Sequence, residues 1–258
     1  MMKRLLPLFA ALALSGCKSF LSEGAEPDVT FSDQAAVDLK KGEEALAGSD
    51  FPTATRYFEF VKSRFAFHDA AVIAELRLAD VQYAQEQWAE ARDAYQTFVK
   101  IHPTHSQVDY AAFRNAESFW QEAPKDFFFF PPAFEKDEVS VKNAVQSLNE
   151  FLRQYPASKH TADAKKVLGE ARSRLAQHEM FVAHFYAKRH RWAGAVGRLK
   201  TVLEKYPDLG FDEEALWQLH DAYQGLHDTQ GAAGALKQIQ VKFPNSKSAQ
   251  KAARLLGS

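Results

Sequence analysis

The feature that most narrows the folds open to this chain is an interval of 37 residues. Gly42, Ala79 and Ala116 follow one another at that spacing, and Ala183 and His220 repeat it. A second series, Ala54, Ala91, Ala144, Ala195 and Ala232, runs beside the first. Two antiparallel helices approach closely only where one small side chain meets another and larger apolar groups fill the flanks. A chain that repeats such notches predicts helix pairs stacked in a row, each burying the face its neighbour exposes.

Other residues punctuate the pattern. Pro103, Pro156, Pro207 and Pro244 close four of the units, because the residue before a proline is pushed out of the helical region. The first unit has Ala66 at that place, and His220 is the one bulky occupant of a small position, which predicts a wider helix crossing in the last unit.

Composition limits function more than fold. The 32 lysines and arginines nearly cancel 33 acidic residues, so no basic field favours nucleic acid. A single cysteine excludes an intrachain disulfide and any all-cysteine metal site. No phosphate-cradling glycine loop, nucleophile elbow or helical two-histidine zinc motif occurs, so neither enzyme chemistry nor a cofactor is expected.

The clearest unit runs from Leu78 to Pro103, with Ala79, Tyr83, Trp88, Ala91, Tyr95 and Phe98 at its marked places. It resembles the tetratricopeptide repeat, which implies an all-α solenoid of about five helix pairs and a C-terminal capping helix from Ser246. The two small positions lie 12 residues apart in four units but 28 apart in the third. The extra 16 residues fall within Gln121 to Ser140 and include "FFFFPPAF", Phe127 to Phe134. Pro131 and Pro132 forbid a helix there, and so many aromatics cannot all face water. A loop folded back over its own repeat is expected; a docking surface for a partner or membrane is the other reading. The first helix of unit four should run from near Thr161 to about Arg189 and serve as a stiff join.

The opening residues carry an address. Lys3 and Arg4 precede an apolar run from Leu5 to Leu14, then Ser15 and Gly16, the layout of a signal peptide. Ten residues are too few to span a bilayer, which takes about 20. "LSGC", Leu14 to Cys17, resembles the lipobox of bacterial lipoproteins. That likeness implies cleavage before Cys17 and acylation of its thiol and amine, palmitate included. Stable anchoring needs more than one acyl chain. The chain thus divides into a signal peptide (1–16), a lipidated N-terminus and tether (17–32), repeats one to three with the insertion 121–140 (33–156), and repeats four and five with the cap (157–258). Lys18 rather than aspartate after the cysteine is similar to the outer-membrane sorting pattern of enteric lipoproteins.

The order of lipobox, five repeats, aromatic insertion and long helix resembles the BamD family of β-barrel assembly lipoproteins. "DYAAF" (109–113), "RQYPASKHTADAKK" (153–166) and "WAGAVGRLKTVLEKYPD" (192–208) are similar to stretches of that family. The resemblance implies a periplasmic scaffold lipid-anchored to the outer membrane, binding a POTRA domain of BamA, unfolded β-barrel proteins and other lipoproteins of the machine. A family arginine that contacts BamA falls on Arg198. Lys188, Arg189 and Arg191 form a basic patch with His190, either a solvated helix end or a second contact for acidic BamA surface. Helical stepping puts Leu76, Tyr83, Tyr110, Phe113 and Trp120 on the concave side, with Asp80 and Glu117 between them. They are expected to form a groove for extended clients, against the alternative that the aromatics pack between repeats. The rival for the whole chain is a periplasmic repeat lipoprotein with another client, such as peptidoglycan or a competence or secretion apparatus.

Overall fold

In the computed structural model, residues 29–125, 132–136 and 138–257 are described. Among them every regular element is helical: α1 (Ala35–Ala47), α2 (Phe51–Arg64), α3 (Asp69–Ala84), α4 (Trp88–Ile101), α5 (Val108–Glu122), a 3-10 turn (Ala133–Glu135), α6 (Val139–Gln154), α7 (Thr161–Ala187), α8 (Trp192–Lys205), α9 (Asp212–Gly225), α10 (Thr229–Lys242) and α11 (Lys247–Leu256). Each helix packs on the next, so the chain climbs as five antiparallel pairs with α11 closing the last. This is a tetratricopeptide-repeat α-solenoid.

The two series of small residues lie at the crossings. Ala54, Ala79, Ala91, Ala116, Ala144, Ala183 and Ala195 are all essentially without exposed surface. Gly42 needs even less than alanine: a Cβ there would stand 2.5 Å from the ring of buried Phe58. His220 meets its counterpart directly, with Nδ1 3.1 Å from the carbonyl of Ala232. Buried Phe58, Tyr95, Phe98, Leu148 and Leu199 fill the spaces between notches, each contributing about 1.5–3 kcal/mol by leaving water.

The turns inside repeats share one geometry. Ser49, Glu86, His190 and His227 all have φ between 53° and 60°, the left-handed region. Each follows its unit's small position by the same interval. The next amide then reaches back five residues, as in Asp50 N to Ala45 O (2.9 Å) and Asp228 N to Tyr223 O (2.9 Å). This is a Schellman closure, which satisfies helix-end carbonyls while reversing the chain. None of the four is glycine. The same device ends α7 at Ala187, two residues short of the expected Arg189.

Repeat three has no such turn. Ala123 is extended (φ −58°, ψ 141°), and the chain departs into the insertion instead of reversing. The described parts of the insertion lean on α7 of the following repeat, while most of the stretch expected to fold over its own repeat lies outside the described residues. Arg174 donates to the carbonyls of Pro124 and Ala133 and pairs with buried Glu138 at 3.0 Å. His178 Nδ1 lies 2.6 Å from the carbonyl of Phe134, whose ring meets Phe181 edge-on at 5.9 Å. Phe127 to Phe130 and Pro131 lie outside the described residues.

Candidate functional site

The first helices of the repeats, α1, α3, α5, α7 and α9, carry the residues expected to meet a client. On α3 and α5 they carry a connected polar network rather than an open apolar groove. Asp80, 9 % exposed, accepts from Tyr95 Oη (2.6 Å), Tyr110 Oη (2.8 Å) and Arg77 Nη1 (2.8 Å). Arg77 reaches back one repeat to Glu43 at 3.1 Å. One repeat forward, Arg114 pairs with Glu117 at 2.7 Å, Tyr83 Oη donates to the same carboxylate at 3.1 Å, and the guanidinium covers the Tyr83 ring at 3.5 Å.

These residues follow the period of the small positions. Glu43, Asp80 and Glu117 each come directly after one, and Arg77 and Arg114 each stand two before one. The signal was present in the sequence, but in the charged residues rather than the apolar ones. In repeat four the equivalent places hold Phe181 and His184, so the ladder stops at α5.

Burial sets the protonation of the network. It pushes the Tyr110 hydroxyl up to about 12, and the neighbouring Asp80 charge adds to the effect. Burial likewise raises Tyr83 and Tyr95, with Asp80 reinforcing the rise at Tyr95 and Arg114 opposing it at Tyr83. All three hydroxyls therefore remain proton donors at neutral pH.

Two of the expected groove residues are not on the surface. Leu76 is 0 % exposed and packs with Ala79, Ala91, Tyr95 and Phe98; Phe113 is 5 % exposed, stacked on His160 and against Phe151. Both sit one step round the helix from the concave side, facing the second helices, so they belong to the core. Tyr83, Tyr110 and Trp120 are half-buried and reach the surface. Trp120 borders an open cavity of about 610 Å³ between α5, α7 and the insertion. Gly169 on α7 forms part of its wall, and a Cβ at Gly169 would touch nothing within 4 Å. Phe134 and Gln177 join this cavity to a second of about 370 Å³ that continues past Met180 and Phe181 to Phe211, which caps the start of α9.

The basic residues occupy the other end of α7. Lys188, Arg189 and Arg191 are exposed in its turn to α8, and the Arg189 guanidinium stacks on half-exposed Phe185 at 3.6 Å. Arg198 lies on α8, where its Nη1 meets Glu179 of α7 at 3.1 Å. That bond is the main reason its guanidinium holds its proton above the ordinary range, yet the side chain stays 43 % exposed. Arg174 and His178, which fasten the insertion, were not anticipated. Their partners are mainly backbone carbonyls more than 40 residues away, and no sequence pattern marks a carbonyl. Cys17 lies outside the described residues, and among those described no helix is long and apolar enough to cross a membrane.

A family model described as "YfiO: Outer membrane lipoprotein" matches residues 32–237. The chain belongs to this family. An outer membrane protein assembly factor BamD of Neisseria gonorrhoeae is 28% identical over 254 residues, covering 95% of this chain and 93% of that one. The corresponding protein of Xylella fastidiosa is 28% identical over 243 residues (90% and 79%), and that of Vibrio cholerae 26% identical over 224 residues (85% and 89%). Among solved structures, the chain is similar to the TPR2AB domain in the pHSP90 complex of yeast Sti1. That match has a TM-score of 0.43 and 13% identity, covering 83% of this chain and 80% of the other. Membership in the lipoprotein family and a repeat architecture make the chain a scaffold, not an enzyme.

Proposed function

We propose that this protein is an assembly factor of the outer-membrane β-barrel machine, anchored through Cys17 and facing the periplasm. The observation that carries this reading is the near end-to-end likeness to proteins named as that factor. Its C-terminal repeats dock a POTRA domain of BamA, with Arg198 as the central contact and Lys188, Arg189 and Arg191 as a flanking basic rim. Glu179 restrains Arg198 without covering it, which supports a pre-oriented guanidinium able to take a second carboxylate. Unfolded β-barrel proteins meet the half-buried aromatics Tyr83, Tyr110 and Trp120, in reach of donors and acceptors that suit an extended backbone.

The test is affinity capture of the lipidated chain with its partners from detergent-solubilised membranes. BamA is expected in the eluate. Arg198→Glu should weaken that capture about thirtyfold, the range for breaking one interfacial charge pair. A photocrosslinking residue at Trp120 should capture unfolded β-barrel protein. Absence of BamA from the wild-type eluate would refute the assignment and leave a lipoprotein serving another client.

A further inference from the structure

The N-terminal arm is fastened to repeat one before α1 begins. The Thr30 carbonyl accepts from Lys41 Nζ (2.9 Å) and Tyr57 Oη (3.4 Å). Phe31 stacks on Phe60 at 4.1 Å and meets Tyr57 edge-on, while Ser32 N donates to fully buried Asp38 at 2.8 Å. The arm therefore leaves the fold at one defined place, where α1 starts and α2 ends. Cys17 stands twelve residues before Val29, a reach of at most about 40 Å. If the cysteine carries acyl chains, this end of repeat one cannot stray further than that from the lipid surface.

The α2–α3 turn lies at the same end. The Phe60 ring that stacks on Phe31 also meets Phe65 edge-on at 6.0 Å, and two residues later Phe67 projects fully into solvent, 107 % exposed. Among the described residues nothing packs on this ring. In the other repeats the residue after the closing proline is Thr104, Ala157, Asp208 or Asn245; only repeat one, which lacks that proline, has an aromatic there. Lys62, Arg64 and His68 around it are exposed, and neither Lys62 nor Arg64 makes an ion pair among the described residues. An unpacked aromatic beside free cations is the composition of an interfacial lipid contact.

We infer that Phe67, flanked by Lys62 and Arg64, docks repeat one onto the anionic lipid surface that holds the Cys17 anchor. The ring enters the headgroup boundary and the two cations meet lipid phosphates. The contact fixes the orientation of the solenoid, which an anchor at Cys17 does not by itself set. This inference rests on the anchor reading, and the test separates the two.

Cys17 is the only cysteine, and acylation consumes its thiol, so Ala66→Cys in the lipidated full-length protein supplies one free thiol beside Phe67. An environment-sensitive fluorophore is placed there, and on Gln85→Cys at the opposite end of α3 as a control. Both proteins are reconstituted on vesicles of phosphatidylethanolamine and phosphatidylglycerol carrying a nitroxide lipid. The label at 66 should be quenched and the label at 85 should not. Phe67→Ser should lower the docked-to-undocked ratio about tenfold, and Lys62→Gln or Arg64→Gln about fivefold each. Equal lack of quenching at both labels, with the protein still floating with vesicles, overturns the docking and leaves the anchor standing. Protein that does not float at all overturns both. A response at 66 that rises with protein concentration in the absence of vesicles would assign Phe67 to a second copy of the chain and overturn the lipid contact.

Discussion

Replacing Asp80 by alanine should be among the most damaging single changes available in the first three repeats. Its carboxylate serves three donors, and they lose it unequally. Tyr95 Oη has no route to water, because its side chain is fully buried, and an orphaned buried donor costs about 1–3 kcal/mol. Tyr110 is half-buried and can turn to solvent. Arg77 keeps Glu43 at 3.1 Å, so its charge is not stranded, and the 3–5 kcal/mol typical of a broken buried ion pair is an upper bound. Together these place Asp80→Ala at about 3 kcal/mol, while Asp80→Asn, which retains one acceptor oxygen, should cost about 1–2 kcal/mol. Urea unfolding followed by far-ultraviolet circular dichroism measures both. The sharper assay is a double-mutant cycle with Tyr95→Phe, because phenylalanine leaves no donor to orphan. The double mutant should cost at least about 1 kcal/mol less than the sum of the singles. A loss below about 1 kcal/mol for Asp80→Ala, or additivity within about 0.5 kcal/mol, would refute the claim that Asp80 organises the network.

Glycine-to-alanine exchange should change sign with position. Gly42→Ala meets the Phe58 ring and should destabilise, since overpacking costs about 1–3 kcal/mol and outweighs the helix propensity gained, whereas Gly169→Ala fills open space and should stabilise by about 0.8–1 kcal/mol; thermal melts of the two variants decide it. Alkaline pH should loosen the fold between about 10 and 12. Tyr110 holds its proton to about 12 when folded against an ordinary 10.0, so the folded state binds more protons in that window and loses stability as pH rises; Tyr110→Phe should show a shallower decline in pH-dependent unfolding. His227→Gly should stabilise the protein slightly in urea unfolding, by about 0.5–1 kcal/mol, because the left-handed strain a side chain suffers at φ 60°, about 1–2 kcal/mol, exceeds the entropy that glycine loses on folding.

How far the sequence spoke depends on which atoms make each contact. Helix crossings were legible because Ala79 meets Ala91, and Ala116 meets Ala144, through their own small side chains at a fixed interval. The network is legible in part: helical stepping places Asp80 and Glu117 on the concave side, but it does not show that Arg77 and Arg114, two residues before each small position, pair with them. Leu76 and Phe113 were misplaced for a geometric reason: a position on a helix is resolved only to about 100° per residue, and one step separates a groove wall from the core. The left-handed turns left no mark, since Ser49, Glu86, His190 and His227 share a conformation and no chemistry. The hold on the insertion was hidden for the same kind of reason, because Arg174 and His178 grip backbone that any residue would supply.

The end of the charged ladder at α5 divides the inner wall into two regimes of recognition. Over the first three repeats a guest meets side chains whose polar atoms are mostly bonded to one another, Arg114 Nε being an exception, so entry is largely an exchange in which it must return each bond it displaces. Along α7 and α9 the wall is open cavity with spare apolar area, and a guest enters by filling it. On the proposed reading, a single scaffold is thus exacting toward what it reads at one end and permissive toward what it merely holds at the other.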